Sequence, residues 1–336
     1  MLSLIINLNK KVIYIKAIRK LYDSVKYDTI RDYINSAIKK YPNNKAFIIK
    51  NKDNKNVTYK NITYSEFGED IRALGSGLIN HGLENKRIAI IGKNRYEWAI
   101  SFVSILCGVG ITVPLDKGLP SQEIKLSLER AKVDAVIFED EYSDIFEEIK
   151  NEKTTIKEFI CMNSNCNNKF ITLYDLISEG KKLLQDGDTR YDNHIINPRE
   201  VASIIFTSGT TSMSKAVMLS NINIASNIYN INCAEKIYDT DVNMAFLPLH
   251  HTFGSTALLL FLSDGVTNVF CDGLRHIQSN LKEYKVSVFV CVPLLLEAMY
   301  KKINSEVEKQ GKTKILKIAD KISHFLLKFK IDIRRK

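Results

Sequence analysis

The 336 residues predict an α/β fold built from βαβ units, and three observations carry that expectation. Between residues 87 and 138, short β-branched runs alternate with apolar or amphipathic helical stretches, the pattern of a parallel sheet with crossover helices. The run Ile204-Ile205-Phe206 is unbroken and apolar, as in a strand covered on both faces, and it leads straight into a hydroxyl-rich loop. Hydrophobic residues make up 45% of the chain, enough for a large core and too many for a disordered chain. The length suits one large α/β domain or two smaller ones.

Taken in order, residues 1–27 mix Ile5, Ile6, Leu8, Val12, Ile15 and Ile18 with Lys10, Lys11, Lys16, Arg19 and Lys20. This reads as a loose or locally packed leader, with a helix resting on an anionic membrane surface as the alternative. Residues 29–41 predict an amphipathic helix stopped by Pro42. Residues 46–49 and 56–59 predict a hairpin around the polar tip 51–55. Thr63-x-x-Glu66 is the pattern of a capping box, opening a helix that Gly82 ends. Strands follow at 87–91, 111–115 and 135–138, with helices at 96–107 and 121–132 between them. Gly108-Val109-Gly110 has no third glycine in register and no strand before it, so tight packing is expected there rather than a dinucleotide fingerprint.

The chain is more polar from 139 to 197, with a charged helix at 141–150, a strand at 158–161 and a helix at 174–184. Residues 186–198 read as a linker whose His194 is a surface residue. Beyond residue 200, a strand at 216–219 is followed by a helix that Ser220 or Asn221 caps. Another strand at 243–247 ends in Pro248-Leu249-His250-His251-Thr252-Phe253-Gly254. Residues 257–262, 267–270, 277–284, 286–292 and 294–303 continue the alternation. Residues 311–336 form a basic amphipathic helix whose Ile315, Ile318, Ile322, Phe325 and Phe329 fall at helical spacing, for packing rather than for a cofactor.

The formal charge is +10, but lysines are scattered among Asn and Ile instead of forming a stripe, which argues against a nucleic-acid partner and suits anionic small molecules. Of the six cysteines only Cys161 and Cys166 are close, and no second Cys/His pair follows at zinc spacing, so neither a metal site nor an oxidising compartment is expected. No run of about 18 apolar residues exists to cross a membrane. The Leu2 to Ile6 run is too short for a signal peptide. A cytoplasmic protein, with peripheral membrane contact at most, is the expectation.

Chemistry concentrates after the 201–206 strand. Thr207-Ser208-Gly209-Thr210-Thr211-Ser212-Met213-Ser214-Lys215 offers backbone N–H groups, small hydroxyl donors and one ammonium, which match a polyphosphate. Gly209 frees the turn. A Walker A loop is absent. This stretch resembles the phosphate loop of the adenylate-forming enzymes, whose pattern is Thr-Ser-Gly-Thr-Thr-Gly-x-Pro-Lys-Gly. Ser212, Ser214 and Ala216 stand where that pattern has its second Gly, its Pro and its last Gly, which narrows the backbone options at two positions and removes a φ restraint at the third. Leu247-Pro248-Leu249-x-His251-x-x-Gly254 resembles the family's next motif, and Asn94-Arg95-Tyr96-Glu97-Trp98 with Val113-Pro114-Leu115-Asp116 is similar to bacterial long-chain acyl-CoA synthetases.

The resemblance implies stacked βαβ subdomains of the adenylate-forming large domain over residues 28–310, divided near residue 195. It implies that Thr207, Ser208, Gly209, Thr210, Thr211 and Lys215 hold ATP phosphates, that Thr211 reaches Mg²⁺, and that His251, with His250 second, lies beside the carboxylate substrate. Lys215, Thr211 and His251 are then the catalytic candidates. The implied reaction is AMP-forming ligation of a long-chain fatty acid to coenzyme A. The family segments that hold adenine and ribose, the hinge and the small carboxyl-terminal domain have no counterpart here, so the fold is expected to be incomplete at its carboxyl end. A remainder encoded as a separate chain and a non-catalytic binding fragment both stay open.

Overall fold

The structure is a computed structural model and describes residues 4–8, 11–15, 21–53, 56–152, 154–164, 166, 169–207 and 215–329. The chain divides into two units, Met1–Phe289 and Val290–Lys336.

In the first unit, β1 (Leu4–Leu8) and β2 (Lys11–Ile15) pair antiparallel, from Leu4↔Ile15 to Leu8↔Lys11. Among the described residues of this leader, 4–8 and 11–15 are therefore strands and not a surface helix. Ile5, Ile6, Val12, Ile13 and Ile15 are β-branched and fit a pleated backbone better. Helix α1 (Ile30–Lys40) starts on Thr29, whose side chain accepts the Asp32 N–H. The expected hairpin is β3 (Lys45–Asp53) with β4 (Asn56–Thr63). The Thr63/Glu66 capping box then opens α2 (Tyr64–Asn80), and Gly82 leaves it at φ 74°. The alternation continues as β5 (Lys86–Ile91), α3 (Tyr96–Leu106), β6 (Gly110–Leu115), α4 (Ser121–Ala131) and β7 (Ala135–Phe138). Next come α5 (Ser143–Asn151), β8 (Glu158–Cys161), β9 (Ile171–Thr172), α6 (Leu173–Gln185) and α7 (Arg190–Asn193). The unit closes with β10 (Val201–Thr207), β11 (Lys215–Ser220), α8 (Asn221–Ala234), β12 (Val242–Ala245), α9 (Thr252–Ser263), β13 (Thr267–Phe270) and α10 (Ile277–Glu283).

Seven strands form one sheet in the order β11-β10-β6-β5-β7-β8-β9, and four form another in the order β12-β13-β3-β4. The larger sheet is parallel except at its β11 edge. Strand side chains alternate between its faces. Ile88, Ile90 and Ile137 enter a core with α1, α2, α3, α6, α8 and α9, while Ala89, Ile91, Val136 and Phe138 meet α4 and α5 on the other face. Both faces are thus covered, which is why these strands read as continuous apolar runs.

Several expectations change. The sheets do not part at residue 195, since β10 pairs with β6 and β13 pairs with β3. Residues 186–198 are not a free linker: Tyr191 is buried, and Arg31 donates to the carbonyls of Cys107, Tyr191 and His194. His194 is not the open surface residue expected: its side chain is largely buried, 3.0 Å from Glu84. Residues 286–292 form no strand beyond one bridge, Asn243↔Val288. Cys161 and Cys166 are joined by a disulfide, where free thiols were expected; a five-residue separation at the end of β8 brings their Cα atoms to 6.3 Å. Gly108 and Gly110 are packing positions, as expected, because a Cβ at Gly110 would meet the Lys86 backbone.

The second unit holds α11 (Pro293–Lys309) and α12 (Thr313–Lys328). Its helix α12 carries Ile315, Ile318, Ile322 and Phe325 at helical spacing, and α11 leaves them exposed. The expected helical extension over 330–336 lies outside the described residues. Among the described residues no helix is long and apolar enough to cross a membrane.

Candidate active site

The hydroxyl-rich loop joins two strands of one hairpin. β10 and β11 pair antiparallel down to Thr207↔Lys215, so residues 208–214 span between two fixed ends. Thr207 and Lys215 are both exposed there. Ser208, Gly209, Thr210 and Thr211 lie outside the described residues. Since β10 runs parallel to β6, and β6 to β5, the loop leaves the sheet at the same edge where β5 and β6 end. That carboxyl edge is where open α/β sheets take their ligands.

Three other segments meet at this edge. After β5, Gly92-Lys93-Asn94-Arg95 turns into α3. Glu139, at the end of β7, accepts the Lys93 N–H at 2.9 Å and closes this turn from the side. After β6, Asp116 accepts the Gly118 N–H through Oδ1 at 2.9 Å, an Asx turn that leaves Oδ2 toward residue 250. After β12, the chain runs through residues 246–251 into α9, with His251 as the N-cap residue. Asn94 ties this last segment down: its Nδ2 donates to the carbonyls of Leu247 (2.8 Å) and Ala245 (3.4 Å), and its Oδ1 accepts the Leu249 N–H (3.3 Å). Gly254 belongs to the same arrangement, because a Cβ there would strike the Pro248 carbonyl. The glycine three places after His251 thus allows α9 to start against the histidine turn.

The two histidines differ. His250 is largely buried, with its Nε2 3.6 Å from Asp116 Oδ2 and no hydrogen-bond partner. Burial is the main cause that lowers its pKa, to about 4, with His251 and Lys117 adding to the fall and Asp116 opposing it. At neutral pH His250 is therefore an uncharged imidazole, and the 3.6 Å contact is not an ion pair. His251 is exposed, and its ring lies 4.2 Å from that of His250, tilted by 48°. The rings lie against each other, yet His250 is largely buried and His251 exposed.

Behind the edge stands a charged network. Arg95 meets Glu97 at 2.6 Å and Asn163 at 2.9 Å. Burial alone would raise the Glu97 pKa, but Arg95 and the Tyr174 hydroxyl outweigh it and hold the carboxylate below its usual range. Neither Asn94 nor Asp116 is marked as a site residue by sequence reasoning, although both sit in the segments that carry the resemblance. The role of Asn94 comes from backbone contacts across more than a hundred residues, and that of Asp116 from the His250 ring brought beside it, which no local pattern encodes. A cavity of about 160 Å³ opens at the opposite edge of the sheet, lined by Asn85, His194, Asn197 and Glu200 among others. The loop and both histidines are at the carboxyl edge, so the candidate site is placed there.

A doubly covered α/β sheet with a hairpin and a histidine turn at one edge is the class of α/β domain that takes its ligands at the carboxyl ends of its strands. A family model described as "AMP-binding enzyme" matches residues 34–327, and the chain belongs to that family. It is 28% identical over 285 residues to long-chain-fatty-acid–CoA ligase 5 of Rattus norvegicus, covering 79% of this chain and 41% of that protein. It is 25% identical over 300 residues to fatty acyl-CoA synthetase B of Dictyostelium discoideum, covering 84% of this chain and 43% of that one. The chain thus spans about two fifths of the length of these curated relatives. Among solved structures, the adenylation domain of a carboxylate reductase from Mycobacterium chelonae superposes with a TM-score of 0.72 at 17% identity, over 88% of this chain and 51% of that one. A long-chain-fatty-acid–CoA ligase from Archaeoglobus fulgidus superposes with a TM-score of 0.68 at 19% identity, over 81% and 53%. These structures share the fold.

Proposed function

We propose that this chain supplies the ATP-phosphate and carboxylate side of an AMP-forming long-chain fatty-acid–CoA ligase. What supports the reading is the shared edge: the loop between Thr207 and Lys215 leaves the sheet where Asn94 holds the His250–His251 turn. The curated relatives are named as long-chain ligases.

The reaction joins a fatty carboxylate to the α-phosphate of ATP, releases pyrophosphate, and then passes the acyl group to coenzyme A. A carboxylate is already ionised near neutral pH, so the first step requires no general base. The demand is electrostatic, because charge builds on phosphate oxygens as the carboxylate attacks and fixed donors must meet it. Thr207, Ser208, Gly209, Thr210, Thr211 and Lys215 take the β- and γ-phosphates in this reading. His251 orients the acyl carboxylate, and His250, uncharged, backs it. The donor set fits a nucleotide: hydroxyls, backbone N–H groups and one ammonium on a strand end. It fits Mg²⁺ only as the nucleotide's own counter-ion, since among the described residues no group of three His, Cys, Asp or Glu side chains could hold a metal. Thr211 is the residue assigned to reach that ion, which keeps most of its ligands as phosphate and water. The chemistry it supplies is charge neutralisation on the phosphates. A cytoplasmic enzyme with peripheral membrane contact agrees with this substrate class.

The test is ATP–pyrophosphate exchange with the purified chain and a panel of fatty acids of increasing length. Exchange that depends on a long-chain carboxylate and disappears in Lys215→Ala is the expected result. A folded chain with no exchange at any fatty-acid concentration refutes catalysis by this chain and leaves binding without adenylation, the second reading.

A further inference from the structure

We infer that Asn94 is a positioning residue that fixes the histidine turn to the carboxyl end of β5. Its amide spans three backbone groups of the segment before the histidines, the carbonyls of Ala245 and Leu247 and the N–H of Leu249. Leu249 is buried at 2% exposure, so its N–H has no ready replacement from water. The acceptor and donors of one planar amide are used on the same strand of backbone, which sets both its distance and its orientation relative to β5. No other described side chain bonds the backbone of residues 245–250 in this way. Asn94 is itself fixed, because Glu139 holds the preceding Lys93 N–H and Arg95 is the N-cap residue of α3.

The consequence falls on His250 and His251. Held by Asn94, the turn presses the His250 ring into the edge beside Asp116 and leaves His251 outward at the mouth. Released, the turn would let His250 meet water, and His251 would lose its fixed place. Asn94 touches no reacting atom; it acts through the backbone that carries the histidines. The activity consequence rests on the ligase reading, and the structural consequence does not.

The experiment uses the whole 336-residue chain with Asn94→Ala and the milder Asn94→Ser. Histidine ring NMR follows the His250 titration, where Asp116, His251 and Lys117 are the charged or titratable groups that face it. Hydrogen exchange follows the Leu249 amide. Cooperative thermal melting confirms that each variant folds. The expected result is a His250 pKa raised by at least about one unit toward the ordinary histidine value, and Leu249 exchange faster by at least about tenfold with the β5 and β6 amides unchanged. If the chain performs pyrophosphate exchange, KM for the fatty acid rises about tenfold while KM for ATP stays put. A parent chain without exchange counts against the ligase reading alone, because the titration and the Leu249 amide still report on Asn94. Folded variants with unchanged His250 pKa and unchanged Leu249 exchange overturn the inference. So does failure of both variants to fold, which would make Asn94 a residue of global stability.

Discussion

His250 and Asp264 pull the pH dependence of stability in opposite directions. The folded state lowers His250 to about 4, mainly by burial. The unfolded chain therefore binds a proton that the folded chain refuses, and stability falls as pH drops from the ordinary histidine value toward 4, by up to about 3 kcal/mol. Asp264 lies at the carboxyl end of α9, where a negative charge opposes the helix dipole, and burial raises it to about 7 against one hydrogen bond from Asn232. Its contribution is complete below the unfolded carboxylate value and is lost as pH rises through about 7. Urea denaturation across pH 4 to 8 separates the two. Asp264→Asn should be more stable than the parent at pH 8 by about 1–3 kcal/mol and level with it near pH 4. His250→Gln should lack the acid-side loss that the parent shows. Parallel curves for parent and variants would contradict both assignments. The sequence gives little warning of either residue. His250 reads there as the lesser of a pair, and Asp264 as one more polar residue before a glycine, because burial is a property of the surrounding elements.

At the level of elements, helix and strand identity was legible wherever local chemistry decides it. The Thr63/Glu66 box, the Ser220 cap and the Ala135–Phe138 strand all appear where the residues put them. What stayed hidden depends on contact partners. Tyr191 looks like a linker aromatic until Gly75 and Gly108 are seen to leave room for its ring. Residues 286–292 carry strand-like valines yet make a single bridge, since the four-stranded sheet offers them one short neighbour. The α2–α6 contact shows how glycines decide an interface: a Cβ on Gly180 would enter the Ala73 backbone, and one on Gly77 the Leu176 backbone. Two helices approach closely only if both positions stay bare. Gly180→Ala should therefore destabilise the chain by about 2 kcal/mol or more despite the better helix propensity of alanine, read as a lowered urea midpoint at unchanged slope. An unchanged or raised midpoint would mean that this pair of helices is not held at that distance.

Over the whole molecule, the fold class followed from the alternation of strands and helices, but the assembly of sheets did not. The pairing of β13 with β3 joins residues more than two hundred positions apart, and β10 crosses back to β6. Such pairings are set by the total core and not by any window of sequence. They also build the site, since they bring the β10–β11 loop and the β12–α9 turn to one edge. The loop and His251 were marked as candidates by their residue types and by the family resemblance, while the tie through Asn94 needed the assembled sheets. The central claim is that a nucleotide's phosphates dock at this edge within reach of His251. Paramagnetic broadening by Mn²⁺-bound ATP measures it most directly, because the six histidines are separate probes. The account expects strong broadening of the His251 and His250 ring signals, with His81 and His194 spared, since these pair with Glu158 and Glu84 at the opposite edge. Broadening of His81 and His194 with His251 untouched would contradict it.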